Sequence, residues 1–352
     1  MRTNPYSNLS KNAFWKTGVV QENPYAMEGI YTKKFDITEN TKIATAGSCF
    51  AQHITKRLKH HGFNILDAEP PPPGLAETSH QKFGYSMYSA RYGNIYSVRQ
   101  LLQLAQEASG VRFPQNFIWN KDGRFYDALR PGVEPKGLDS PEEVFNHRQI
   151  HISRVRKIFE TLDLFIFTLG LTEMWIHKES GTVYPTAPGT LAGEFDEDIY
   201  EFKNAQFGEI IEDFNEFQNT LKKIRSEKPF KIILTVSPIP LTATASGNHV
   251  LNSTTYSKSI LRAVAGQISQ NQPEIDYFPA YEIVNNPRLH STAFSGNLRS
   301  VRDETVAVVM RHFFDEHKLI KPQSSIPNSL QSSDLTPNEI FCEEALLDAF
   351  SK

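Results

Sequence analysis

The sequence predicts an α/β fold: a flavodoxin-like three-layer sandwich with a mostly parallel, doubly wound sheet, hairpin insertions and a C-terminal tail helix. Three observations carry this expectation. Apolar runs such as Leu164-Phe165-Ile166-Phe167-Thr168 and Lys231-Ile232-Ile233-Leu234-Thr235-Val236 lack a period of two, as strands covered on both faces do. Between the runs lie helical segments long enough to cross over a sheet. Right-handed crossovers then leave few strand orders, and the flavodoxin-like one is expected here.

The elements follow in order. Residues 1–40 read as an irregular lead-in with aromatic anchors Phe14, Trp15, Tyr25 and Tyr31. Residues 41–46 form a short buried strand that runs up to Gly47. Residues 50–61 are helical, with Ile54 and Leu58 four apart and Gly62 as the stop. A second strand at 63–66 is ended by the prolines at 70–73. Residues 94–108 carry a helical stripe of Leu101, Leu102, Leu104 and Ala105, and 113–130 form a hairpin around Lys121-Asp122-Gly123. Ser140-Pro141-Glu142-Glu143 starts a helix towards 160: a serine cap, proline in the first turn and glutamate at the third position.

A second hairpin at 174–188 turns at Ser180-Gly181, and helices follow at 205–226 and 255–270. Residues 276–283 read as a last strand, and 303–317 as a closing helix with Val306, Val309, Met310 and Phe313 inward. Residues 321–333, rich in Ser, Pro and Gln, read as a linker. Thr336-Pro337-Asn338-Glu339 then caps a tail helix whose stripe is Cys342, Ala345, Leu346, Ala349 and Phe350, expected to dock back on the domain. The organisation is therefore a lead-in at 1–40, one domain at 41–317 and a tail at 318–352.

The 352 residues are 39% hydrophobic and 22% charged, as in globular proteins. A net charge of −3 gives no electrostatic case for nucleic acid or an anionic membrane. Two cysteines do not make a disulfide framework, the polar start shows no signal-peptide pattern, and no stretch approaches the roughly 18 apolar residues of a membrane span. The expectation is a soluble cytoplasmic protein, with the oligomeric state open. Scattered histidines, no Cys-x-x-Cys and no glycine-rich phosphate loop predict neither a metal nor a cofactor.

Chemistry points first to Gly47-Ser48-Cys49, where a strand hands over to a helix. Free N–H groups and the dipole there stabilise negative charge, which would lower a thiol pKa or hold an oxyanion. A serine cap beside a buried cysteine explains the same residues without chemistry.

Gly47-Ser48-Cys49-Phe50-Ala51 resembles the motif that names the GSCFA family. Tyr92-Gly93-Asn94-Ile95-Tyr96-Ser97, Phe167-Thr168-Leu169-Gly170-Leu171-Thr172-Glu173 and Val236-Ser237-Pro238-Ile239-Pro240-Leu241 are similar to further blocks, as are segments around Tyr256-Ser257-Lys258-Ser259, Tyr277-Phe278-Pro279 and Arg299-Ser300-Val301. The resemblance spans roughly residues 35–317.

The family is placed among SGNH hydrolases, which implies nucleophilic acyl transfer: an esterase or acyltransferase acting on a small-molecule or carbohydrate ester. It puts the nucleophile at Ser48 or Cys49, with both open. It implies oxyanion donation by Gly93 and neighbouring Asn94, and by Thr172, which stands where the family superfold has asparagine.

The Asp-x-x-His block is replaced by Asn297-Leu298-Arg299-Ser300, so the base must come from elsewhere. His249 is the first candidate, then His53 and His290; Glu173 orients a base or acts as one. Lys258 and Arg299 are expected to hold an anionic group. Trp175, Tyr184 and Tyr256 form either a sugar-stacking wall or ordinary packing. The alternative function is a non-catalytic binding module with a degraded catalytic block.

Overall fold

In the computed structural model, which describes residues 4–318 and 342–351, a four-stranded sheet forms the centre. Its strands are β1 (Ile43–Gly47), β4 (Leu164–Leu169), β8 (Lys231–Val236) and β9 (Ile275–Tyr277), parallel and adjacent in that order. Beyond β1, Ile65 makes a parallel bridge to Ile43, so the expected strand at 63–66 is reduced to a single bridge. Counting that bridge, chain order across the sheet is second, first, third, fourth, fifth. This is the flavodoxin-like order, and its direction reverses between β1 and β4.

The helices are α1 (Cys49–His60), α2 (Glu77–His80), α3 (Val98–Ser109), α4 (Pro141–Thr161), α5 (Phe207–Ile224), α6 (Val250–Asn271), α7 (Ala280–Val284), α8 (His290–Ala293) and α9 (Asp303–Glu316). Strand residues alternate between the two helical layers. Phe165, Phe167, Ile232 and Leu234 join the core under α3, α4, α5 and α6. Ile43, Ile166 and Ile233 join the core with Ile54 and Leu58 of α1 and Val306 and Phe313 of α9.

Local signals start the helices as read. Ser140 Oγ accepts from Glu143 N–H and Ser97 Oγ from Gln100 N–H. Ser97 therefore starts α3 four residues later than expected. The insertions are the hairpin β2 (Ile118–Lys121) with β3 (Arg124–Asp127), and a three-stranded sheet in which β5 (Glu173–His177) lies between β6 (Val183–Tyr184) and β7 (Tyr200–Asn204). The expected strand at 276–283 ends at Tyr277 and gives way to α7, because Pro279 opens a helical turn.

Of the lead-in aromatics only Tyr31 is buried, its hydroxyl donating to Asp276; Phe14, Trp15 and Tyr25 are exposed. Residues 321–333 and the expected cap at 336–339 lie outside the described residues. No helix among those described is long and apolar enough to cross a membrane.

Candidate active site

Where strand order reverses, the carboxyl ends of β1 and β4 open a crevice, the usual ligand position in such sheets. Two glycines let it close tightly. Gly47 has φ +143°, and a Cβ there would lie 2.6 Å from Thr168 O. A Cβ on Gly170 would lie 2.8 Å from Ser48 Cβ and 3.0 Å from Tyr96 O. The segment 92–97 clamps both strand ends: Ile95 N–H donates to Gly47 O, and Gly170 and Leu171 N–H donate to Tyr96 O.

Ser48 is the N-cap residue of α1 but makes no capping bond with its side chain, unlike Ser97 and Ser140. Its Oγ is buried without a hydrogen-bond partner among the described residues. Capping therefore does not explain this serine, whose hydroxyl is buried and unpaired, as are those of Thr168, Thr172 and Thr235.

Ser48 lines a cavity of about 10 Å³, room for about one water molecule, with Cys49, Tyr96, Ser237, Lys258 and Glu344. Lys258 is 1% exposed, and its Nζ donates to Gly170 O at 2.7 Å. Burial pushes this ammonium down to about 8, offset in part by Glu344. Lys258 and Ser48 line the same cavity, but Lys258 Nζ bonds Gly170 O and no hydrogen bond joins it to Ser48 Oγ.

Cys49 is buried too, its Sγ 3.6 Å from Tyr96 Oη. The thiol is not activated. Burial pushes it well above its ordinary value, and contact with Cys342 and the Glu343 charge push the same way. The expected lowering at the helix N-terminus is thus overturned, since losing water outweighs the helix field.

Asn94 and Tyr96 supply the converging donors. Asn94 Oδ1 accepts from Gln52 Nε2 at 3.1 Å and from Tyr88 Oη, which fixes the direction of its Nδ2. That Nδ2 donates to Glu343, and Tyr96 Oη donates to the same carboxylate oxygen at 2.9 Å. Gly93 (φ +68°) packs beside it, its Cβ position 3.6 Å from Glu343 Oε1.

Several expectations are corrected. His249 is exposed at the start of α6, and its Nδ1 accepts Leu251 N–H, so the ring serves as a helix cap. His53 leans on Phe50, and burial pushes it down to about 3. His290 is exposed against Phe294. None of the three lines the Ser48 cavity. Thr172 does not line it either: its N–H donates to Ser257 Oγ, which seats α6 against the end of β4.

Glu173 accepts from Thr244 Oγ1 at 2.7 Å, and burial raises its pKa. It lines a second, larger groove of about 170 Å³ with Trp175, Tyr184, Phe202 and Thr244. That groove shares Leu171 and Glu344 with the Ser48 cavity. Tyr256 stays outside it, 45% exposed on α6.

Sequence reasoning passed over Tyr96 and the acidic tail. Lys258 lies on the apolar stripe of Leu261, Val264 and Ala265 in α6, a pattern that signals a buried amine.

The model of the GSCFA family matches residues 42–313. No curated protein matches the chain. A solved structure, the crystal structure of a carbohydrate esterase family 3 from Talaromyces cellulolyticus, is similar at a TM-score of 0.31 and 9% identity, covering 78% of this chain and 95% of that one.

Proposed function

The chain belongs to the GSCFA family, and from that premise we propose that it is a serine esterase or acyltransferase that works by a Ser48–Lys258 pair. The single observation that supports this most is the unpaired Ser48 Oγ in one small cavity with a buried lysine whose pKa is depressed.

The free amine of Lys258 takes the Ser48 proton as the hydroxyl attacks an ester carbonyl. Asn94 Nδ2 and Tyr96 Oη stabilise the oxyanion, because both already converge on a carboxylate oxygen. Lys258 then returns the proton to the leaving alcohol, and water or a second alcohol accepts the acyl group. The groove beside the cavity is lined by Trp175, Tyr184 and Phe202, an aromatic lining that supports an O-acylated carbohydrate as the substrate class.

A fluorophosphonate tests this reading. The expected adduct forms on Ser48, is absent in Ser48→Ala, and forms at least a hundredfold more slowly in Lys258→Met. Because Glu343 and Glu344 lie in the site, the same test is run on Glu343→Ala with Glu344→Ala. No adduct at Ser48 in either form, with no ester turnover, removes the proposal. That outcome would leave a non-catalytic binding module, a reading favoured by the lack of any imidazole on Ser48 Oγ among the described residues.

A further inference from the structure

The tail segment Glu343–Phe350 meets the protein through acid rather than through its apolar stripe. Glu343 and Glu344 are 1% and 9% exposed, whereas Leu346 and Phe350 are 41% and 65% exposed. The expected docking by Leu346, Ala349 and Phe350 is thus overturned. Only Cys342 joins an apolar cluster, with Cys49, Tyr96, Leu171 and Leu241. Leu347 is half-buried along the neighbouring groove, but a segment that buries two carboxylates and leaves Leu346 and Phe350 in water is held chiefly by what those carboxylates touch.

What they touch is the site itself. Glu343 accepts from Asn94 Nδ2 and Tyr96 Oη, the donors assigned above to the oxyanion. Glu344 lines the Ser48 cavity and reaches the mouth of the neighbouring groove. Its Oε2 lies 3.9 Å from Arg299 Nη2, and Asp348 lies 4.0 Å from Arg299 Nη1. Burial first, then Cys342 and more weakly Glu173, pushes the Glu344 carboxyl up to about 8, and the facing cations Arg299 and Lys258 offset this only in part. Arg299 Nε is also buried without a partner among the described residues. Lys258 and Tyr96 line the cavity, and Asn94 and Arg299 reach the two carboxylates from beside it, so the tail's acidic groups meet two cations and two neutral donors.

We infer that the Ser48 cavity is a carboxylate-binding site, and that the chain's own C-terminal segment occupies it as a built-in competitor for a small substrate or product bearing carboxylate groups. The acid released from an ester is such a product, and a second acidic group on it would take the Lys258–Arg299 side. The inference deepens the acyl-transfer reading of the same site, yet its test reads occupancy, not turnover.

The chain has two cysteines, so Cys342→Ser leaves Cys49 as the sole thiol. In that full-length background, the rate of N-ethylmaleimide addition to Cys49 measures how often the tail leaves. Glu343→Ala with Glu344→Ala is expected to raise the rate at least tenfold. Glu344→Lys, which sets an ammonium against Lys258 and Arg299, is a second route to the same release. In the released variants malonate should slow labelling saturably, and malonamide or an equal ionic strength of sodium chloride should not.

Unchanged labelling in both variants overturns the competitor. Faster labelling with equal effects of malonate and malonamide overturns the carboxylate site. Loss of ester turnover in the released variants, where a gain is expected, makes the tail a part of the catalytic apparatus and also overturns it. Ser48→Ala abolishes turnover but leaves malonate protection intact, so failure of the acyl chemistry is distinguishable from failure of this inference.

Discussion

Gly170→Ala tests the packing on which the site depends. The added Cβ would stand 2.8 Å from Ser48 Cβ, 3.0 Å from Tyr96 O and 3.3 Å from Ser48 Oγ. None of these is the far end of a flexible side chain, so backbone must move. Overpacking of this kind costs about 1–3 kcal/mol. The restricted unfolded chain returns about 0.4–1 kcal/mol, which leaves a net loss of roughly 0–2.6 kcal/mol, centred near 1.3. Gly208→Ala is the control: it lies in α5 with nothing within 4 Å of its Cβ position, and it should stabilise by about 0.5–1 kcal/mol. Urea unfolding measures both, and fluorophosphonate labelling of Ser48 should slow in Gly170→Ala alone. Equal stability of the two variants, with equal labelling, would refute the close approach of β4's end to Ser48.

Other outcomes follow from single groups. The esterase rate should rise with pH through about 8, because Lys258 acts only as the free amine and burial pulls its pKa down from 10.5; a profile flat from pH 6 to 9 would rule the lysine out as base. His249→Ala should cost about 0.5–2 kcal/mol of stability by removing the α6 cap and leave turnover unchanged, with His249→Asn restoring stability; a turnover loss that Asn does not rescue would return His249 to the catalytic set. His151 is fully buried, bonded to Glu69 at 2.7 Å, and burial lowers it from 6.5 to about 4. Its folded pKa is depressed, so the neutral ring's contribution is complete above pH 6.5 and falls by about 3 kcal/mol as pH drops to 4. Urea midpoints across that window should flatten in His151→Gln, and an unchanged slope would assign the acid sensitivity elsewhere.

The sequence by itself determined the layers and the strand–helix junction. Leu164–Leu169 and Lys231–Val236 are apolar on both faces, and such runs are stable only between two helical layers. The start of α4 was legible because Ser140, Pro141 and Glu143 act within one turn of chain. Ser48 was legible as a position but not as a state: a serine at a helix start reads the same whether it caps or stands unpaired.

Tertiary structure decided the rest, because burial and convergence belong to segments far apart in the chain. It turned Cys49 into a desolvated thiol and Lys258 into a buried amine, and it left His249 at the surface. It also brought Glu343, almost 250 residues beyond Asn94, onto that amide's Nδ2. No local pattern encodes such a meeting, since a carboxylate's partner is set by which cations and donors the fold leaves facing the same cavity.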